Sequence, residues 1–156
     1  MGGVTVMAAR SIPGTDVRVR RGRRQDLPRV SAMLGAAAVA SAPERLARFF
    51  RRLLADLGND LYVAEDARGE IVGLVAVTYA RSLVRGGRSA LLDGVRACRE
   101  PAGPLLEGLL LFAEERARRR GCRRLTAWVD PGDVTLRAAL LARGYRAEEL
   151  LVAELG

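Results

Sequence analysis

With no histidine in its 156 residues, this chain must do any acid–base chemistry with carboxylates, tyrosines, thiols, chain termini or relayed water. A Ser-His-Asp triad, a Cys-His dyad and a histidine-ligated metal are excluded, and no metal site is expected. Asp93 lies in a run that reads as a strand. A carboxylate there can take a proton from an amine if burial raises its pKa. The pair Asp93-Gly94 suits a turn or a strand bulge equally well. Tyr62 and Tyr79 can give a proton only if they face a cleft, and packed strand aromatics are the simpler reading. Cys98 has the chemistry of an acyl carrier, but no neighbour is evidently placed to lower its pKa. Cys98 and Cys122 form no CxxC pair and read as free thiols of a reducing cytoplasm.

The elements that would position these groups can be read along the chain. Val17-Arg18-Val19-Arg20 alternates apolar and basic residues, as a first strand does. Asp26 and Pro28 then open a helix with Leu27, Val30, Met33 and Leu34 on one face. A second helix is expected from Ser41-Ala42-Pro43 to Gly58, its stripe formed by Leu46, Phe49, Phe50, Leu53, Leu54 and Leu57. Strands over 61–64 and 71–77 flank a polar turn, and a third strand is expected over 90–97 after an exposed loop at 81–88. Pro101-Ala102-Gly103-Pro104 introduces a long helix that ends at Gly121. A strand at 125–129 follows. Asp130-Pro131-Gly132-Asp133 can turn the chain and cap a last helix ending at Gly144, and residues 145–155 are expected to hold the final strand. The pattern predicts an α/β chain with a mixed sheet of about six strands flanked by four helices. It has no GxGxxG and no Walker-type loop.

Composition narrows the class further. Hydrophobic residues make up 49% of the chain, enough for a packed core. One domain is expected over residues 16–156, preceded by a flexible arm over 1–15, with no secretory leader, no membrane span and a cytoplasmic location. The net charge is +8 and all 26 basic residues are arginine, which favours anionic ligands. The clusters Arg20-Arg21-Arg23-Arg24 and Arg116 to Arg124 lack interleaved aromatics and read as solvated surface, which argues against a nucleic-acid partner.

The order of elements resembles the GNAT superfamily of N-acetyltransferases over about 17–155. The resemblance rests on Leu61-Tyr62-Val63-Ala64-Glu65-Asp66 with Gly69-Glu70-Ile71-Val72-Gly73, on the long helix closing at Arg120-Gly121, and on Asp133 with Gly144-Tyr145. It implies a GNAT-like fold that takes acetyl-CoA as cosubstrate and moves the acyl group to a primary amine by direct attack. The pyrophosphate would sit at the start of the long helix, on the N–H groups of Gly103, Leu105 and Leu106. The pantetheine arm would pair with Val95, Arg96 and Ala97. Asp133 would belong to the cofactor site and Asp93 would be the base. The acceptor would be a small-molecule or peptide amine, shaped by residues 26–57 and 81–88. A homodimer stays open. The chain departs from the family pattern in its loop and its last helix: Pro104 and Leu106 stand where the loop has glycines, Asp133 replaces the usual Asn, and Leu140 stands where many members have a proton-donating tyrosine. A non-catalytic acyl-CoA-binding domain is the first alternative and a basic nucleic-acid-binding module the second.

Overall fold

The computed structural model describes residues 9–35 and 42–155. One sheet of six strands organises the chain, in the spatial order β1-β2-β3-β4-β5-β6. The strands are β1 (Arg10–Ser11), β2 (Arg18–Arg21), β3 (Asn59–Glu65), β4 (Ile71–Ser82), β5 (Gly87–Ala97) and β6 (Cys122–Ala127). All neighbours are antiparallel except β5 and β6, which are parallel. The helices are α1 (Leu27–Leu34), α2 (Pro43–Ala55), α3 (Gly103–Arg119) and α4 (Val134–Ala142), with a 3-10 turn at Arg24–Asp26 before α1.

Alternation along the strands divides the apolar residues between two cores. Tyr62, Ala64, Val75, Val77 and Leu92 face α3 and α4, where Leu105, Leu109, Leu110, Ala113, Leu136 and Leu140 meet them. Leu61, Val63, Ile71 and Leu74 face α1 and α2, against Val30, Met33 and Phe50. The α2 stripe is wider in sequence than the surface it buries. Phe50 is buried, whereas Phe49 and Leu57 are 62% and 78% exposed.

The expected element order holds from β2 to α4, and the differences lie at the edges. The exposed loop at 81–88 is shorter than expected, because β4 runs to Ser82 and β5 starts at Gly87. The strand expected over 145–155 does not form. Its apolar residues Leu150, Leu151 and Val152 are consecutive and exposed, so they offer no single face to bury. The sixth strand comes instead from the segment read as an arm. Residues 1–8 and the proposed helix start at Ser41 lie outside the described residues. Arg10–Ser11, however, pairs with β2, and Ile12 is 3% exposed. Gly108 in α3 makes room for that side chain: a Cβ there would stand 2.3 Å from Ile12 Cγ2.

Candidate functional site

Strands β5 and β6 part company halfway along. Arg88 pairs with Cys122, and Ala90, Leu91 and Leu92 pair with Leu125, Thr126 and Ala127. The last contact is the Trp128 N–H on the Leu92 carbonyl, at 3.3 Å. Beyond it, residues 94–97 of β5 pair with β4 alone. Asp93 stands at the fork. Gly94 opposes Ala76 while Leu92 opposes Val77, so Asp93 is the extra residue of a bulge, and its side chain is exposed.

The ladder determines which groups the open edge offers. The Cys98 N–H donates to the Val72 carbonyl at 2.7 Å, so Cys98 points its main chain at β4. In an antiparallel pair the direction alternates. Arg96 and Gly94 therefore also face β4, and Val95 and Ala97 turn their N–H and C=O groups to the open side. Of the three residues expected to pair with a pantetheine arm, Val95 and Ala97 turn their backbone to that side, and the Arg96 main chain does not. Arg96 reaches it only through its guanidinium, which donates to the Val95 carbonyl at 2.8 Å.

This half-paired stretch leads through 98–102 into α3. The N-cap residue, Ala102, gives no side-chain cap, and Pro104 occupies the first turn, where its missing N–H costs nothing. Helical bonding begins with the Leu106 N–H on the Ala102 carbonyl, at 2.9 Å. Leu106 is therefore already engaged, and the donors left for an anion are Gly103 and Leu105. The Leu105 and Leu106 side chains are core, at 1% and 6% exposure, so only their backbone can serve a ligand. Around Gly103 a Cβ would meet nothing within 4 Å. Arg99, just before it, bonds to the Asp16 carboxylate.

The remaining predicted residues are accounted for as follows. Asp133 caps α4, its carboxylate accepting the Leu136 N–H at 3.0 Å. Leu140 is 4% exposed within the α3–α4 core. The Cys98 thiol is exposed, and the Cys122 thiol is buried. Tyr79 donates to Asp60 at 2.9 Å. Burial, and after it the Asp60 charge, raises the Tyr79 pKa well above its ordinary value. Tyr79 belongs to the opposite end of the sheet, on the row of Ala90, and Tyr62, although on the row of Val95, stands two strands away from the fork on β3.

That opposite end holds what sequence reading missed. Asp60 is 1% exposed. Its Oδ1 accepts Arg120 at 2.9 Å, and its Oδ2 accepts Arg116 at 3.2 Å together with the Tyr79 hydroxyl. Arg120 lies 4.7 Å from the centre of the Tyr79 ring, and Arg116 lies 5.5 Å from that of Tyr62. The clusters read as solvated surface are thus partly internal. Arg20, 13% exposed, belongs to the same correction: it grips both oxygens of buried Asp26 at 2.8 and 2.9 Å. Sequence did carry a signal, since Leu109, Ala113, Arg116 and Arg120 follow one another at helical steps of four and three. A buried stripe that continues into two arginines needs a buried carboxylate.

No protein-family model matches the sequence, and no curated protein matches it. Solved structures do. A transcriptional regulator from Bacillus halodurans C-125 superposes with a TM-score of 0.76 at 26% identity, over 89% of this chain and 99% of that one. An aminoglycoside antibiotic 6'-N-acetyltransferase from Acinetobacter baumannii gives 0.72 at 14% identity, covering 90% and 97%. A ribosomal-protein-alanine N-acetyltransferase from Brucella melitensis biovar Abortus 2308 gives 0.69 at 16%, covering 90% and 99%. With its six-stranded mixed sheet, four helices and half-open β5–β6 pair, this chain has the fold of the GNAT acetyltransferases.

Proposed function

We propose that the chain binds an acyl-CoA in the β5–β6 fork and transfers its acyl group to a primary amine. One observation carries the reading: the sheet opens beside Val95 and Ala97, and the unpaired edge runs into the uncapped start of α3. A pantetheine arm would add to that edge as a short strand. The pyrophosphate would meet the Gly103 and Leu105 N–H groups and the positive end of the helix. Acetyl-CoA is the simplest such cosubstrate, and the acetyltransferases among the structural neighbours support it.

In the reaction, the amine nitrogen attacks the thioester carbonyl carbon. The tetrahedral adduct then expels the CoA thiolate as the C–S bond breaks. The acceptor's ammonium must first lose a proton, the adduct nitrogen then loses a second, and the thiolate must gain one. Asp93, exposed at the fork, is the candidate base, directly or through water. Leu140 can donate no proton, so water must protonate the thiolate. Open-edge N–H groups and a fixed geometry would supply the rest. The acceptor is a small-molecule or peptide amine.

A second reading, a non-catalytic acyl-CoA-binding domain, is favoured by the buried Leu140, by the commitment of Tyr79 to Asp60, and by a structural neighbour that is a transcriptional regulator. The nucleic-acid reading has lost ground, because Arg20, Arg116 and Arg120 are engaged in internal ion pairs. Incubating the protein with acetyl-CoA and a panel of amines, while following free thiol, separates the two main readings. Thiol release that depends on an amine supports transfer. Saturable acetyl-CoA binding without release favours the sensor, and no binding at millimolar acetyl-CoA removes both.

A further inference from the structure

A cavity of ≈ 260 Å³ lies between the β1–β2 edge and the last turns of α3, at the edge of the sheet away from the fork. Its apolar walls are Val19, Tyr62 and Phe112. The two rings meet edge to face, with centroids 4.7 Å apart. Its charge is strongly one-sided, with five arginines against Glu115. Three of the five are occupied: Arg10 with Glu115, Arg20 with Asp26 and Glu65, and Arg116 with Asp60. The other two are not neutralised. Arg21 is 51% exposed and 3.9 Å from an Asp60 oxygen that already holds Arg120. Arg119 is exposed and makes no ion pair among the described residues.

A second observation is independent of charge. Tyr62 is 3% exposed, and its hydroxyl has no hydrogen-bond partner among the described residues. A buried hydroxyl without a partner costs free energy that an incoming acceptor would recover. Burial, and after it the Asp60 charge, raises the Tyr62 pKa, so the group keeps its proton and can act as a donor. A donor hydroxyl and two uncompensated guanidiniums call for an oxyanion, and the aromatic wall calls for an apolar body attached to it.

We propose that this cavity is a second ligand site, separate from the acyl-CoA fork, for a small organic anion. Its carboxylate or phosphate head is held by Arg21, Arg119 and the Tyr62 hydroxyl, and its apolar or aromatic body lies against Val19 and Phe112. The site rests on different residues from the proposed transferase site and stands or falls apart from it.

The test is a thermal-shift titration of the full chain with phenyl phosphate, benzoate, inorganic phosphate and benzyl alcohol. At least one organic anion is expected to stabilise the protein saturably at millimolar concentration and to exceed both inorganic phosphate and the neutral alcohol. Which anion wins tells an ester from a carboxylate. Arg119→Ala, at an exposed helix position, should weaken that binding by about tenfold. Tyr62→Phe removes only the orphaned oxygen. It should leave the free protein at least as stable while weakening the ligand by about fivefold. Gly103→Asp, at the fork, should leave it unchanged. The proposal is overturned if neither organic anion gives a saturable shift, or if inorganic phosphate matches them through general screening. Equal binding by both variants, or competition with acetyl-CoA, would overturn it too.

Discussion

Strand β5 and helix α3 run side by side, and their two ends are finished in opposite ways. At one end β5 is paired on both edges, and the final turns of α3 deliver Arg116 and Arg120 to a buried carboxylate. At the other, β5 keeps one partner only, and α3 begins without a cap. The closed end meets its buried Asp60 carboxylate from within, through Arg116, Arg120 and Tyr79; the open end leaves backbone donors for something else. The difference separates the groups that hold the sheet together from those free to bind. It predicts that changes at the two ends will have different signatures.

The largest expected effect is at the closed end. Asp60→Ala leaves two guanidiniums without their carboxylate in the interior and should cost about 3–5 kcal/mol in urea denaturation. Acetyl-CoA affinity of the folded fraction should hardly change. A small stability loss, or a selective loss of binding, would break the contrast. At the open end, Gly103→Asp places a carboxylate where the pyrophosphate would lie. Acetyl-CoA binding should weaken by about a hundredfold, while stability holds or rises by up to about 1 kcal/mol from the helix dipole. Gly108→Ala tests the β1 docking that closes the sheet's far edge. Its methyl would collide with Ile12, and the expected cost is about 1–3 kcal/mol despite alanine's better helix propensity. Arg96→Ala should free the Val95 carbonyl for a pantetheine amide and tighten acetyl-CoA by up to about fivefold in a calorimetric titration.

The smallest effect is a pH dependence. Burial is the largest single influence on Asp26 and raises its pKa. The two Arg20 bonds and the Arg23 N–H together outweigh it, so the carboxyl sits below its ordinary value. Arg143 likewise lowers Glu114, tying α4 to α3 at 2.7 Å. A lowered carboxyl contributes stability in full above its unfolded pKa of about 4 and loses it as the pH falls through the folded value. The urea midpoint should therefore drop as the pH is taken below about 4, and Arg20→Met should flatten that fall.

Much of the open end was legible in the sequence. The Gly-Pro entry to α3, its stop at Gly121 and the strand over 90–97 are local signals, and they place the fork correctly. The alternation that turns Val95 and Ala97 outward but Arg96 inward depends on the bulge at Asp93, which no local pattern separates from a turn. The closed end was hidden for a different reason. Gly58-Asn59 reads as the end of a helix, and the partners of the adjacent Asp60 lie 56 and 60 residues away. Strand β1 was missed because two residues carry no period, and the half-buried Gly108 that receives Ile12 gives no local sign of it. The last strand was expected over 145–155, but its apolar residues do not alternate, and among the described residues the segment pairs with no strand.

The most direct test is residue-resolved amide hydrogen exchange with and without saturating acetyl-CoA. Protection is expected to rise at Val95, Ala97, Gly103 and Leu105, with Arg96 and the strand pairs around Asp60 unchanged. Protection at none of those four amides, or protection confined to the Tyr62 and Arg119 cavity, would contradict the assignment of the fork as the acyl-CoA site.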